Sequence, residues 1–345
     1  MNSSTETVQQ STIGPRVKPS ELTRGIALAF TRGALVLFMV LGHWIHYFPG
    51  AQIFFFKYLL FVPSSFAFIT GFIISRVYLP KRLMFKGLKL IGLFILLNLI
   101  ISFLLPESYN SRILFKNFSA GDILPVYVVG DVWVSGLGKA AAFYILVPLS
   151  YLFFLSALLS IAARVYKYAF HVAFAFFLLC IIISGSNGLT SGNLQLVTIG
   201  LLGVICGYFP LATIHNLSRH PYLLALAYVG YAIAMAVFNA LFPVVVAGTC
   251  LTMAVIYLLG ARNGKPGRAR RYIMFLGKYT LFGYIAQIAI LQLLRRGFRH
   301  LDLGSEILVL SFFAAFGLTM LSVEAVDRVR AKSNTMDWLY RAVFS

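Results

Sequence analysis

Charged residues are scarce in this sequence, and acidic residues are the scarcest of them. Only 11% of the 345 residues are charged, 10 are Asp or Glu, and 60% are hydrophobic. Soluble domains usually have roughly twice that share of charged residues. The composition therefore excludes an ordinary set of soluble domains and indicates that the chain folds in a lipid bilayer.

Cysteine is also rare, and its placement argues against a metal or redox site. Cys180, Cys206 and Cys250 lie in apolar runs, without the close spacing of such motifs. We interpret them as packing residues and expect no metal. Residues 1–22 are polar and lack the apolar core of a removable signal peptide, so we predict a disordered cytoplasmic tail there.

Long apolar runs fill most of the remaining chain. Only helices and closed barrels satisfy the backbone in hydrocarbon, and these runs lack the alternation of barrel strands. We therefore predict an all-α, polytopic integral membrane helical bundle. At about 20 residues per crossing, ten transmembrane helices are expected, near residues 26–48, 54–75, 87–105, 140–162, 168–184, 194–211, 221–239, 241–260, 272–293 and 303–325.

The basic residues predict the orientation of this bundle. The formal net charge is +19, and most Lys and Arg residues fall in alternate short connections and in the two tails. Such segments stay in the cytoplasm and face anionic lipid, so we predict that both termini are cytoplasmic. This assigns the charges to membrane lipids rather than to nucleic acid. A transmembrane domain at 23–327 would precede a cytoplasmic C-terminal tail at 328–345.

Acidic residues are absent from the centres of the predicted spans. All 10 lie in tails, in connections or near span ends, which argues against a proton-coupled carrier. The long connection from Pro106 to Lys139 is predicted to be extracytoplasmic and is either a docking place for a polar acceptor or a solvated connector. Its polar and aromatic residues include Glu107, Asp122, Asp131 and Trp133.

Arg32 and His43 are the most conspicuous polar residues of the first predicted span. His43 follows Arg32 by eleven positions, which is close to three helical turns. The two residues therefore share one face, about 16 Å apart along the helix. A guanidinium near the cytoplasmic edge suits phosphate binding, and a deeper imidazole can act as a general base. The alternative is that Arg32 snorkels to the headgroups while His43 makes one interhelical hydrogen bond.

The segment from Arg24 to His43 resembles the first span of the acyltransferase 3 family of membrane acyltransferases. In that family an arginine, ten residues and a histidine form the signature, which Arg32 and His43 match. Arg24 matches an earlier family arginine, whereas Ala29 replaces the usual aspartate.

Two later stretches are similar to further motifs of this family. Phe66 to Ser75 is similar to its second span, with Thr70 in place of a serine. Gly277, Thr280 and Tyr284 match its Gly-x-x-Ser-Tyr-x-x-Tyr-x-x-His stretch, in which Gln287 replaces the histidine. In the middle of the chain, residues 143–148 match in part, but Ala140 replaces a glutamate.

The resemblance implies an O-acyltransferase of the bacterial inner membrane. Its donor would be cytoplasmic acyl-CoA, carrying an acetyl or succinyl group, and its acceptor a hydroxyl of an extracytoplasmic glycan or glycolipid. His43 would be the catalytic base. Arg32, helped by Arg24 and the basic cluster from Arg76 to Lys89, would bind the donor's phosphates.

Other residues are weaker candidates for substrate binding. Packing or interhelical hydrogen bonds are the favoured explanation for Thr70, Tyr279, Tyr284 and Gln287. Arg295, Arg296 and Arg299 depart from the positive-inside pattern and would hold either an anionic acceptor or lipid headgroups. A glycan or lipid exporter, or a non-catalytic relative with a binding role, remain the competing hypotheses.

Overall fold

The computed structural model of the protein describes residues 19–48, 54–77, 79–104, 125–130, 133–134, 138–139, 143–209, 221–238, 241–261, 267–298 and 306–344. This part of the chain is almost wholly helical, as predicted. The α-helices that it describes are α1 Pro19–Tyr47, α2 Phe61–Val77, α3 Pro80–Leu104, α4 Leu146–Ala162, α5 Ala169–Ser186, α6 Gly192–Tyr208, α7 Pro221–Phe238, α8 Phe242–Ala261, α9 Arg268–Lys278, α10 Thr280–Phe298, α11 Glu306–Lys332 and α12 Asn334–Phe344.

Four short elements accompany these helices. A 3-10 helix covers Phe54–Leu59, and a π-helical turn covers Pro125–Val129. Two-residue strands, β1 Trp133–Val134 and β2 Gly138–Lys139, pair antiparallel. The remainder of the long connection, including Glu107, Asp122 and Asp131, lies outside the described residues, as does Ala140.

Six of the described helices are long and apolar enough to cross a membrane. The number is seven if α9 and α10 count as one bent span. The shorter apolar segments are Leu146–Ala162, Gly192–Tyr208 and Tyr222–Phe238. The membrane character of the chain is therefore supported, while the number of ten crossings stays a prediction.

Several helices extend beyond the predicted spans. Helix α1 begins at Pro19, seven residues before residue 26, and α3 begins at Pro80, seven residues before residue 87, and so also includes Lys86. Helix α11 continues to Lys332, and α12 follows after Ser333. The predicted C-terminal tail thus contains the end of α11 and a separate helix, whose apolar residues recur at helical spacing.

Glycines let several helices approach to backbone contact. A Cβ on Gly71 of α2 would lie 1.9 Å from the carbonyl oxygen of Gly200 in α6, and one on Gly203 would lie 2.1 Å from that of Phe68. Neither distance leaves room for a side chain, so small residues are required where α2 crosses α6.

The same kind of contact joins α1 to α9. A Cβ on Gly33 would lie 1.7 Å from the carbonyl oxygen of Ile273, and one on Gly277 would lie 1.8 Å from that of Ala29. The chain then bends by 92° between α9 and α10. After this bend α10 runs beside α1 in the same direction. Two contacts show this: Gln287 faces His43, and Gln292 donates to the hydroxyl of Tyr47.

Substitution of Gly33 by alanine is expected to destabilise the protein strongly. The new methyl group would force α1 away from α9, and overpacking of this kind typically costs about 1–3 kcal/mol or more. Gly42→Ala on the same helix is the matched control, because nothing lies within 4 Å of a Cβ there. Thermal unfolding in detergent should show a lower midpoint for Gly33→Ala alone, and equal midpoints for both variants would contradict the close contact.

Candidate functional site

A cavity of about 200 Å³ lies among α1, α2, α3, α4, α10 and α12. Arg32 and Met39 of α1 line it, seven residues and about 10 Å apart along one helix face. Thr70 of α2 and Tyr284 of α10 also line it. Leu146, in the stretch 143–148, lines it too, so the structure brings together side chains from all four stretches that carry the family resemblance.

One end of the cavity is cationic. Arg32 lines the cavity together with Lys86 and Lys89, which lie on one face of α3 because they are three residues apart. None of the described residues lining the cavity is acidic. An anion with several phosphate oxygens suits such a cluster, since it could share charge-assisted hydrogen bonds among three side chains.

Only part of the predicted basic cluster reaches this cavity. Arg76 instead donates a hydrogen bond to the carbonyl oxygen of Phe209 at 3.0 Å. Lys81 and Arg82 are exposed and do not line the cavity. Lys81 points away from the face of α3 that Lys86 and Lys89 share. Arg82 shares that face, but it lies about 6 Å before Lys86 along the helix, nearer its beginning.

Helix α12 forms part of the cavity wall, which the sequence analysis missed. Phe344 lines the cavity, and Lys89 Nζ donates to the carbonyl oxygen of Arg341 at 3.4 Å. The ring of Phe344 stacks on Tyr340 at a centroid distance of 5.0 Å. The spacing of apolar residues in 334–344 could have identified an amphipathic helix, but it does not indicate that this helix packs beside the cavity and α3.

A polar network anchors α12 to α10 and α11. Arg330 donates to Asp337 Oδ1 at 2.9 and 2.6 Å, and it also donates to the Tyr279 hydroxyl at 3.0 Å. The Tyr279 hydroxyl in turn donates to Asp327. Tyr279 therefore makes interhelical hydrogen bonds near the bend between α9 and α10, and it is not a cavity residue.

The charges of this network affect ionisation on α12. Hydrogen bonds from Arg330 hold the pKa of Asp337 below its ordinary value, and Arg341 acts in the same direction. Burial raises the pKa of Tyr340 to about 12, so its hydroxyl stays neutral at physiological pH. Asp337 is thus the titratable residue whose charge attaches α12 to Arg330 of α11.

The deeper walls of the cavity are mostly apolar. Phe66 and Ile69 of α2 and Leu146 of α4 line this part. The Thr70 hydroxyl donates to the carbonyl oxygen of Phe66 at 2.7 Å, so its proton is already used within α2. Tyr284, which is 5% exposed, is a further polar side chain there.

His43 lies next to the apolar end of the cavity, opposite the cationic end, and does not itself line the cavity. It follows Met39 by one helical turn, about 6 Å further along α1. Its ring centroid is 5.8 Å from that of Tyr284, which lines the cavity. Tyr284 therefore connects the cavity lining with the imidazole by direct ring contact.

Gln287 contacts the same imidazole from α10. Its Nε2 lies 3.3 Å from His43 Nδ1, and its side chain is 0% exposed. Its Oε1 is buried without a hydrogen-bond partner among the described residues. The amide is thus a neighbour of His43 and is not among the residues that line the cavity, and its predicted role in substrate binding stays a prediction.

Phe143, which contacts Tyr284, has an unusual backbone conformation. Its φ is 58°, in the left-handed region that a bulky residue rarely adopts, and its ring meets Tyr284 edge-on at 5.9 Å. Backbone strain of this kind persists only where the surroundings fix it, and it is common at functional sites.

Arg295 and Arg296 are not among the residues that line the cavity. Arg295 and Arg296 are at the end of α10, about 12 Å beyond Gln287 along the helix, and Arg295 is exposed. Arg24 lies in α1, eight residues before Arg32, but its side chain is outside the described part. Arg299 also lies outside the described residues.

Comparisons and candidate metal ligands add no further assignment. No protein-family model, curated protein or solved structure matches the chain. Over the described ranges, no group of three or more His, Cys, Asp and Glu side chains could hold a metal ion. The function is therefore inferred from the chemistry of the site itself.

The attachment of α12 is expected to weaken in acid. Because its folded-state pKa is lowered, Asp337 stabilises the anchored helix above its ordinary value of 3.8, and this contribution disappears as the pH falls through the lowered pKa. Asp337→Asn should therefore speed amide hydrogen exchange in 334–344 already at neutral pH. Glu324→Gln is the control, since its pair with Arg328 is exposed. Equal exchange in wild type and Asp337→Asn would refute this role.

Proposed function

We propose that the protein is a membrane-bound O-acyltransferase. It would transfer an acetyl or succinyl group from cytoplasmic acyl-CoA to a hydroxyl of an extracytoplasmic or surface glycan or glycolipid. The observation that carries this proposal is the arrangement along α1. Arg32 lines the cationic end of the cavity, and His43 follows further along the helix, next to the apolar end.

The proposed donor has the chemistry that this cavity requires. Its nucleotide phosphates would bind Arg32, Lys86 and Lys89, while its uncharged pantetheine arm would extend along the apolar walls. The arm would direct the thioester towards Tyr284 and His43. Tyr284 lines the cavity and its ring contacts the imidazole, so the acyl carbon would pass beside this ring to reach His43.

The proposed reaction uses His43 as a general base. The imidazole takes the proton of the acceptor hydroxyl, and the hydroxyl oxygen attacks the thioester carbonyl carbon. When the tetrahedral intermediate collapses, the carbon–sulfur bond breaks and the departing sulfur receives the proton from the imidazolium. The products are the acyl ester of the acceptor and free CoA.

This function would use the predicted topology. Ten spans with both termini cytoplasmic, in a bacterial inner membrane, would open the cationic end to the cytoplasm and place His43 in the outer half. Membrane lipids would surround the bundle, and the arginines Arg295 and Arg296 would lie near the outer surface. There they would meet either an anionic acceptor or lipid headgroups.

Donor binding can be tested with a pair of substrates that differ in phosphate. Lys89→Gln should raise KM for acetyl-CoA at least fivefold, because one of the three cavity cations is lost, which weakens charge-assisted binding by about 1 kcal/mol or more. With S-acetylpantetheine, which lacks phosphates, the same variant should match wild type. Lys81→Gln, an exposed residue of the same helix, is the control. An equal change with both donors would argue against phosphate recognition here.

Catalysis depends on His43 in this proposal. His43→Ala should reduce acyl-CoA-dependent transfer by at least about a hundredfold, the contribution of a general base, while the thermal midpoint is retained. Undiminished transfer would rule out His43 as the base. Transport of labelled glycan without acyl-CoA would favour the exporter hypothesis, and a wild type that binds no acyl-CoA would favour a non-catalytic role.

The topology can be tested by labelling introduced cysteines in a variant without Cys180, Cys206 and Cys250. Asn187→Cys, in the turn after α5, should react with a membrane-impermeant thiol reagent in intact cells. Lys332→Cys, at the end of α11, should react only after permeabilisation. Labelling of both positions in intact cells would contradict the predicted orientation.

A further inference from the structure

Two side chains of one helix hold the His43 imidazole. Tyr284 and Gln287 are three residues apart and therefore project from the same side of α10. The Tyr284 ring lies at 5.8 Å and tilted by 38°, and the Gln287 amide lies 3.3 Å from Nδ1. Packing thus restricts the ring, while the amide contacts one of its two nitrogens.

The proton position on His43 depends on which amide atom faces it. If Nε2 of Gln287 donates to Nδ1, the imidazole proton is on its Nε2, which then has no lone pair for a base. A rotation of the amide by 180° fits the same space and brings Oε1 to Nδ1–H. Only this second orientation leaves the lone pair on the imidazole Nε2.

We propose that Gln287 is a positioning residue that fixes the tautomer of His43. In the rotated orientation its Oε1 accepts a hydrogen bond from Nδ1–H, and the amide NH2 takes the buried position that Oε1 occupies in the other orientation. The other ring nitrogen then keeps the lone pair that a general base needs. This inference deepens the proposed acyltransferase function and rests on it.

A neutral amide suits this position better than a carboxylate. Gln287 is 0% exposed inside a helix bundle, where an ionised group would be costly. An aspartate or glutamate there would accept the same hydrogen bond, but it would add a buried charge. The amide accepts the hydrogen bond while leaving the imidazole uncharged.

The tautomer can be measured without any acyl transfer. The protein contains six histidines, and comparison of nitrogen-15 spectra of histidine-labelled wild type and His43→Ala identifies the signals of His43. We expect the form with its proton on Nδ1. In Gln287→Met, which keeps the side-chain length without the amide, the two tautomers should both be populated.

Kinetics of the same variants test the consequence for catalysis. Gln287→Met should lower kcat at least tenfold and leave KM for acetyl-CoA within about twofold, because the contact is not part of donor binding. Gln287→His retains a hydrogen-bond acceptor and should keep kcat within about tenfold of wild type. Thermal midpoints establish that each variant is folded.

The outcomes separate this inference from the proposed function. A wild-type His43 with its proton on Nε2 would overturn the inference even if acyl transfer is observed. An unchanged tautomer and unchanged kcat in folded Gln287→Met would also overturn it. The expected tautomer and its loss in Gln287→Met, in a wild type that transfers no acyl group, would support the positioning role and reject the acyltransferase proposal.

Discussion

The backbones of α1 and α9 touch at Gly33 and Gly277, and the position of the candidate site depends on this contact. Gly33 directly follows Arg32, so the crossing fixes the height of the guanidinium. Gly277 precedes the 92° bend at Tyr279, so the same crossing sets where α10 begins beside α1. The partners of His43 are thereby brought opposite it through a contact that contains no functional side chain.

Charge and polarity are divided along the cavity in a way that a membrane favours. The cations Arg32, Lys86 and Lys89 share one end, where long side chains can stay near water. Beyond them the walls are apolar, and the innermost polar pair of His43 and Gln287 can be wholly neutral. Buried charge is therefore avoided where its desolvation would be most costly.

Much of the site could be predicted because helices repeat regularly. Arg32 and Tyr284 fall on faces that helical spacing defines, and both line the cavity. Pairing between distant segments could not be predicted in this way. Gln287 contacts His43 although 244 positions separate them in the sequence. Lys89 donates a hydrogen bond to the backbone of α12 across a sequence separation of 252 positions. Such neighbours are set by how helices pack, which the period of a single helix does not encode.

The grouping of the cations at one end has an electrical consequence for transfer across the bilayer. In the proposed orientation, the donor's phosphates would remain with Arg32 on the cytoplasmic side, and an acetyl group would travel onward without charge. Moving one elementary charge through the membrane is worth about 2.3 kcal/mol per 100 mV. Acetyl transfer would therefore be electrically silent and equally fast in energised and de-energised membranes, whereas a succinyl group would carry its carboxylate through the field.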